Sequence, residues 1–190
     1  MKTRRKTSHV VGIDDAPFDP AHRGDVLVTG TVFSGPRLEG VLSTRVRRDG
    51  ANATDRIAAM VGSSRFLPQL QAVLLQGIAL AGFNVVDIHR LNRKLGLPVL
   101  VVSRKEPDLE AIRRALLENV PGGARKWRLV EQAGPMEPME NLWVQRAGLS
   151  PVEARGLLGE HARAGRLPEP LRTAHMIAGG VATGESRHRP

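Results

Sequence analysis

A chain of 190 residues with 41% hydrophobic content and no cysteine is long enough for one domain with a proper core, and disulfide frameworks, zinc–thiolate sites and cysteine nucleophiles are excluded. The net charge of +9 invites a nucleic-acid reading, yet residues 1–7 and 185–190 carry +5 of it and the body only +4. No apolar run approaches the ~20 residues of a membrane span and the basic start lacks a signal-type core, so a soluble, cytoplasmic protein is expected.

Residues 1–7 read as a basic disordered tail, 8–184 as one domain and 185–190 as a C-terminal tail. Arginine outnumbers lysine 23 to 5, which suits phosphate recognition by planar forks and equally suits a codon-biased genome. Six aromatic residues and no tyrosine argue against a broad stacking platform for single strands.

In chain order, Val10, Val11, Gly12 and Ile13 form an apolar strand ending in two carboxylates, Asp14 and Asp15. Such a pair can anchor a metal, or can close a strand at a solvated turn before Ala16-Pro17. Residues 25–33 and 40–47 read as two further strands across a turn at Ser34-Gly35-Pro36-Arg37, making a three-strand meander. A helix capped by Asn52 or Thr54 follows, with Ile57, Met60 and Val61 inward and Asp55 in its first turn, a place that suits a carboxylate for dipole reasons alone. Residues 72–75 form a strand buried on both faces, ending at Gln76-Gly77. A bend through Gly82 leads to a helix over residues 84–95 that Gly96 stops, with Asn84 as a candidate N-cap and Asp87 on its solvated side.

Residues 98–102 are the next buried strand. Pro107 opens a helix with Ile112, Leu116 and Val120 at helical spacing, and Pro121-Gly122-Gly123 breaks it. Residues 127–131 and 142–145 are short candidate strands. Ser150-Pro151-Val152-Glu153 is a capping box starting a helix to about Ala164, with Gly165 ending it. A last helix follows Pro168-Glu169-Pro170. The order predicts an α/β fold: a mixed sheet of a three-strand meander followed by helix, strand, helix, strand, with flanking helices. Its first strand lies inside, parallel to the strand ending at Gln76, so Asp14 and the neighbourhood of Gln76 meet at strand carboxyl ends, where such sheets bind ligands.

Four stretches in order then carry a family resemblance: Gly12-Ile13-Asp14-Asp15-Ala16-Pro17-Phe18, Asp49-Gly50-Ala51-Asn52-Ala53-Thr54-Asp55, Gly77-Ile78-Ala79-Leu80-Ala81-Gly82-Phe83-Asn84-Val85-Val86-Asp87 and Arg166-Leu167-Pro168-Glu169-Pro170-Leu171-Arg172. Together they resemble the endonuclease dU family, which is similar to endonuclease V. The resemblance implies a ribonuclease H-like fold and Mg²⁺-dependent (or Mn²⁺-dependent) hydrolysis of a phosphodiester near a deaminated base, uracil or hypoxanthine, in nucleic acid, with DNA ranked ahead of RNA. It implies Asp14 as the first metal aspartate, and Asp49 as the best match for a metal glutamate before the first helix, with an insertion after Val46, so that Asp55 competes for that role.

Gln76 stands where endonuclease V has a metal aspartate, Arg37-Leu38-Glu39 where it has an aromatic wedge, and Ala147-Gly148-Leu149 where it has a histidine-bearing segment. His175 falls where it has an aspartate, as a candidate acid, base contact or structural residue. The catalytic set so implied is Asp14, Asp49, Asp55, Gln76 and His175. Substrate contacts fall on Asp15, Gly77, Gly82, Asn84, Asp87 and Arg172. Arg45, Arg47, Arg48 and Arg56 are expected to flank the site. A nucleic-acid-binding protein of the same fold, with catalysis weakened by Gln76, is the alternative, and a protein acting on a small nucleotide in a pocket built by residues 77–87 is a third.

Overall fold

The structure is a computed structural model that describes residues 7–162 and 167–186. Of the expected tails, residues 1–6 and 187–190 lie outside the described residues, as do Ala164, Gly165 and Arg166. Thr7 is held by the fifth helix: its N–H donates to Glu160 Oε2 at 2.7 Å, and its carbonyl meets His161 Nε2 at 2.8 Å.

The meander forms as expected. β1 (His9–Asp15) pairs antiparallel with β2 (Asp25–Ser34), and β2 with β3 (Arg37–Arg47). β3 begins three residues earlier than its alternation suggests, because Gly35, in the left-handed region at φ 56°, turns the chain within two residues. α1 (Ala53–Gly62) leads to β4 (Ala72–Gln76), which lies parallel to β1. A small hairpin follows, β5 (Ala79–Leu80) with β6 (Asn84–Val85), then α2 (Ile88–Leu95) and β7 (Val99–Ser103), parallel to β4. α3 (Leu109–Asn119), α4 (Gly123–Gln132), β8 (Glu137–Met139), β9 (Leu142–Ala147), α5 (Pro151–His161) and α6 (Glu169–Thr183) complete the chain. The main sheet runs β3-β2-β1-β4-β7-β9-β8.

β1, β4 and β7 sit mid-sheet, and their near-continuous apolar runs are what burial on both faces requires. Val11, Ile13, Val73, Leu75, Val99 and Val101 pack against Ile57 and Val61 of α1 and Ile88 and Leu91 of α2. The alternate residues Val10, Leu74, Leu100 and Val102 face Leu157 and Leu158 of α5 and Leu171 of α6. A third cluster, Val85, Leu116 and Val130, lies under α3 and α4. Among the described residues no helix is long and apolar enough to cross a membrane.

Two expectations are corrected. The helix placed at residues 84–95 starts only at Ile88, with Asp87 as its N-cap accepting from Arg90 N–H at 2.9 Å. Asn84 instead belongs to the hairpin and caps the other helix: its Oδ1 accepts from Ala53 N–H at 3.0 Å, while Asn52 makes no side-chain cap bond. Residues 127–131 are not a strand but the middle of α4. Trp127 and Leu129 alternate over too few residues to separate a strand from a helix, and the buried pair Lys126 and Val130 is spaced one helical turn apart.

Candidate active site

The site is built where α6 lands on β1. Gly12 makes that landing possible, since a Cβ there would lie 2.4 Å from the carbonyl carbon of Pro170. Thr31 on β2 fastens the same spot by donating its hydroxyl to the Pro170 carbonyl at 2.6 Å. With the first turn of α6 so pinned, His175 reaches back over the strand end. Its Nδ1 lies 2.8 Å from Asp14 Oδ2.

Asp14 is 4% exposed and follows Val10 and Gly12 onto the α6 face by strand alternation. Its Oδ1 accepts from Asp15 N–H at 3.0 Å. Burial pushes its carboxyl above the ordinary range, and the hydrogen bond and charge of His175 pull the other way. Across the sheet Asp14 is opposite Thr29 of β2. On the other side, continuing the Ile13–Leu75 pairing by one residue places Gln76 beside it, on the same face. Gln76 Oε1 is buried with no partner among the described residues. A buried orphan acceptor is costly, and here it borders a buried carboxylate.

Asp15 points to the opposite face and binds a loop. Its Oδ2 accepts from Ala81 N–H at 2.8 Å, and burial, then the charge of Asp14, push its pKa up to about 6. The Ala81 carbonyl accepts from Asp49 N–H at 2.9 Å, so Asp49 is tied through Ala81 to the loop that Asp15 holds. Its carboxylate is already engaged: Oδ1 accepts from Phe83 N–H at 2.8 Å and Oδ2 lies 3.2 Å from Arg48 Nε. Gly82, at φ 82°, is required there, because a Cβ would fall 2.4 Å from Asp49 Oδ1.

The remaining predicted residues are placed elsewhere. Asp55 lies on α1, across the sheet from α6, and pairs with Arg90 at 2.8 Å and Lys94 at 3.0 Å, with Lys94 foremost in holding its carboxyl below the usual range. It is not brought to Asp14. Asn84 and Asp87 cap helices, and Gly77, at φ 78°, turns the chain out of β4. Arg172, one turn before His175, forks onto Glu169 with contacts of 2.8 and 2.5 Å, which raises its pKa. Among the described residues no three His, Asp or Glu side chains gather as a metal cluster. Of the implied catalytic set, Asp14 and His175 touch, Gln76 adjoins, and Asp49 is linked through Ala81.

Sequence reasoning did not single out Thr29, Thr31 or the role of Gly12. A glycine inside an apolar strand is a signal of close backbone approach, and Gly12 carries it.

A sequence model of endonuclease dU matches residues 6–182. The chain belongs to the endonuclease dU family. It is 60% identical over 181 residues to a UPF0215 protein of Deinococcus radiodurans, covering 95% of this chain and 92% of that protein. A UPF0215 protein of Methanothermobacter thermautotrophicus is 49% identical over 182 residues, covering 94% and 89%. Among solved structures, a protein of unknown function from Archaeoglobus fulgidus superposes with a TM-score of 0.87 at 38% identity, covering 93% of this chain and 99% of that one. Human ENDOV gives 0.59 at 19% identity, covering 90% and 83%. Endonuclease V of Ciona intestinalis, in complex with a DNA containing an inosine followed by a ribo-adenosine, gives 0.56 at 13% identity, covering 90% and 84%. The fold of this endonuclease dU family protein is therefore the ribonuclease H-like one of endonuclease V.

Proposed function

We propose that this endonuclease dU family protein is a divalent-metal-dependent endonuclease that hydrolyses a phosphodiester near a deaminated base, uracil or hypoxanthine, with DNA ahead of RNA as substrate. The observation that carries the reading is the buried Asp14 at the end of a central strand, with the orphaned Gln76 Oε1 beside it. The inosine-containing DNA bound to the Ciona enzyme supports the choice of base.

An unpartnered buried oxygen next to a buried carboxylate fits a hard cation that takes oxygen ligands. Asp14 and Gln76 Oε1 are the residues that would hold Mg²⁺ or Mn²⁺. When bound, the ion supplies Lewis-acid activation of water and neutralises charge on the phosphate. The chain's own part begins with His175. Whenever Asp14 is ionised it is acceptor-only, and the Nδ1 facing it then carries the proton and holds Oδ2 in a fixed orientation. Gly12, Thr31 and Pro170 keep that imidazole in place by seating α6.

Two observations favour a second reading, a binding protein of the same fold with weakened catalysis. Gln76 contributes no charge, and no cluster of three ligating side chains exists among the described residues. Strand cleavage separates the two. Oligonucleotides with a single uracil or hypoxanthine should be cut in Mg²⁺ or Mn²⁺ and spared in chelator, and Asp14→Asn should abolish cutting with melting little changed. Retained cleavage by Asp14→Asn would refute the assignment of Asp14, and binding without cleavage by wild type would favour the second reading.

A further inference from the structure

A cavity of about 280 Å³ opens beside the Asp49 loop, on the side away from α6. Three helix starts line it: Thr54 from α1, Asp87 and Arg90 from α2, and Gly122, Arg125 and Lys126 from α4. Val85, Pro121 and Leu129 supply apolar wall.

Its polar groups are unevenly satisfied. Lys126 is only 4% exposed, and its ammonium has one acceptor, the Asp49 carbonyl at 2.5 Å, so two of its three donors lack a protein partner among the described residues. The Arg125 guanidinium has no partner among the described residues, whereas Arg90 is paired with Asp55. α1 is capped by Asn84 and α2 by Asp87, but α4 starts at the left-handed Gly122 with no side-chain cap. The Gly123 and Arg125 N–H groups at that start bond to the carbonyls of Val120 and Gly122 at 3.0 and 3.1 Å, so the spare donors on this wall are those of the buried Lys126 and the Arg125 guanidinium. Opposite them Asp87 spends one oxygen on Arg90 N–H and has the other available as an acceptor.

We propose that this cavity binds a nucleoside monophosphate unit, with the phosphate on the Arg125 guanidinium and the Lys126 ammonium. The apolar wall takes the sugar or base, and Asp87 accepts from a hydroxyl or ring N–H. Charge-assisted contacts with phosphate suit both cations. At ~30 Å³ per water the space equals roughly nine waters, enough for one nucleotide unit and too small for a duplex. The site is separate from Asp14 and does not depend on the nuclease reading. It does border it: Lys126 Nζ meets the Asp49 carbonyl, Asp49 N–H the Ala81 carbonyl, and Ala81 N–H the Asp15 carboxylate.

The unit can come from a free nucleotide or from the phosphorylated end of a strand. Calorimetric titration of the full chain with a nucleoside monophosphate, its parent nucleoside, inorganic phosphate, and one oligonucleotide with and without a 5′-phosphate distinguishes these. Binding should need the phosphate, and inorganic phosphate should compete. Arg125→Gln and Lys126→Met should each weaken binding by about tenfold or more, as expected for loss of one charge-assisted contact. Arg128→Gln, an exposed arginine on the same helix outside the cavity, should change it less than about twofold, the scale of a rim charge. Preference for the phosphorylated oligonucleotide supports the site with the strand end as source, and preference for the monophosphate supports it with the free nucleotide. Equal affinity of wild type and Arg125→Gln, or no binding of either phosphorylated ligand at about 1 mM, would overturn the proposal.

Discussion

Half-burying Asp15 beside a buried Asp14 sets a pH dependence with a definite sign. Below the ordinary pKa of 3.8 folded and unfolded chains both hold the proton, and the pair costs nothing. Between 3.8 and about 6 the folded chain retains a proton that the unfolded chain has released, so stability falls as pH rises through that window, and the full cost stands above it. Asp14, raised in the same direction, adds to it. Asp15→Asn keeps an acceptor for Ala81 N–H and removes the charge. It should stabilise the protein by up to about 3 kcal/mol at neutral pH, with the advantage vanishing near the ordinary carboxylate range, as thermal melts across pH would register. Gln76→Asp runs the other way. In chelator the new carboxylate beside Asp14 should lower the melting temperature by like-charge repulsion. Mg²⁺ should restore it and raise cleavage, because a hard cation gains from each anionic oxygen. Melting and activity that ignore Mg²⁺ would sink a metal site between β1 and β4. Asp14 was legible as a candidate because a carboxylate ending an apolar run is a local signal. Its contact with His175 was not, since 161 residues separate them and only the seating of α6 brings them together.

α6 is the element on which the site depends, and its seat is steric. Gly12→Ala would drive a methyl into the Pro170 backbone, where neither β1 nor the start of a helix can give way easily. Overpacking of this kind costs ~1–3 kcal/mol or more. The variant should melt well below wild type and lose the His175–Asp14 contact, read as an altered His175 ring resonance. Gly159→Ala in α5, where nothing lies within 4 Å of the added Cβ, should instead gain up to ~1 kcal/mol from helix propensity. A Gly12→Ala protein with unchanged melting would remove Gly12 from this role. Most elements were readable from local pattern: the meander from alternation, β4 and β7 from short apolar runs, and α5 from its capping box, which forms with both reciprocal bonds. The helix start misplaced at residue 84 has its own cause. Asn84 and Asp87 are both good caps, and residue preference cannot say which helix each will serve. Asn84 was claimed by Ala53, 31 residues earlier, through a contact that exists only after folding. β8 is three residues long and takes its pairing from β9; so short a segment carries no period to read.

Over the whole molecule the charge is arranged so that binding can be tested apart from cleavage. Arg45 and Arg47 are exposed on the edge strand β3, and strand alternation with the registers Asp14–Thr29 and Thr29–Ser43 places them on the same face as Asp14. Among the described residues the Arg47 guanidinium has only a long 3.8 Å contact with Asp25. Arg48 and Arg56, also expected to flank the site, are tied inward: Arg48 donates to the carbonyls of Pro20 and His22, and Arg56 to the carbonyl of Arg45. The residues free to meet phosphates are therefore the outer pair. Each phosphate contact on duplex DNA contributes ~0.9 to the slope of log affinity against log salt. Arg45→Gln combined with Arg47→Gln should weaken binding of a labelled duplex and lower that slope by up to about 2, with melting unchanged. Arg48→Gln should instead act on stability, by releasing the loop that carries Pro20 and His22. Removing residues 1–7, which hold four of the basic side chains, provides the comparison. If that deletion alone abolishes the salt dependence and the β3 double variant changes nothing, the basic N-terminus is the nucleic-acid contact and the face around Asp14 is not. If the double variant lowers the slope with the N-terminus intact, the strand runs past Asp14 along β3.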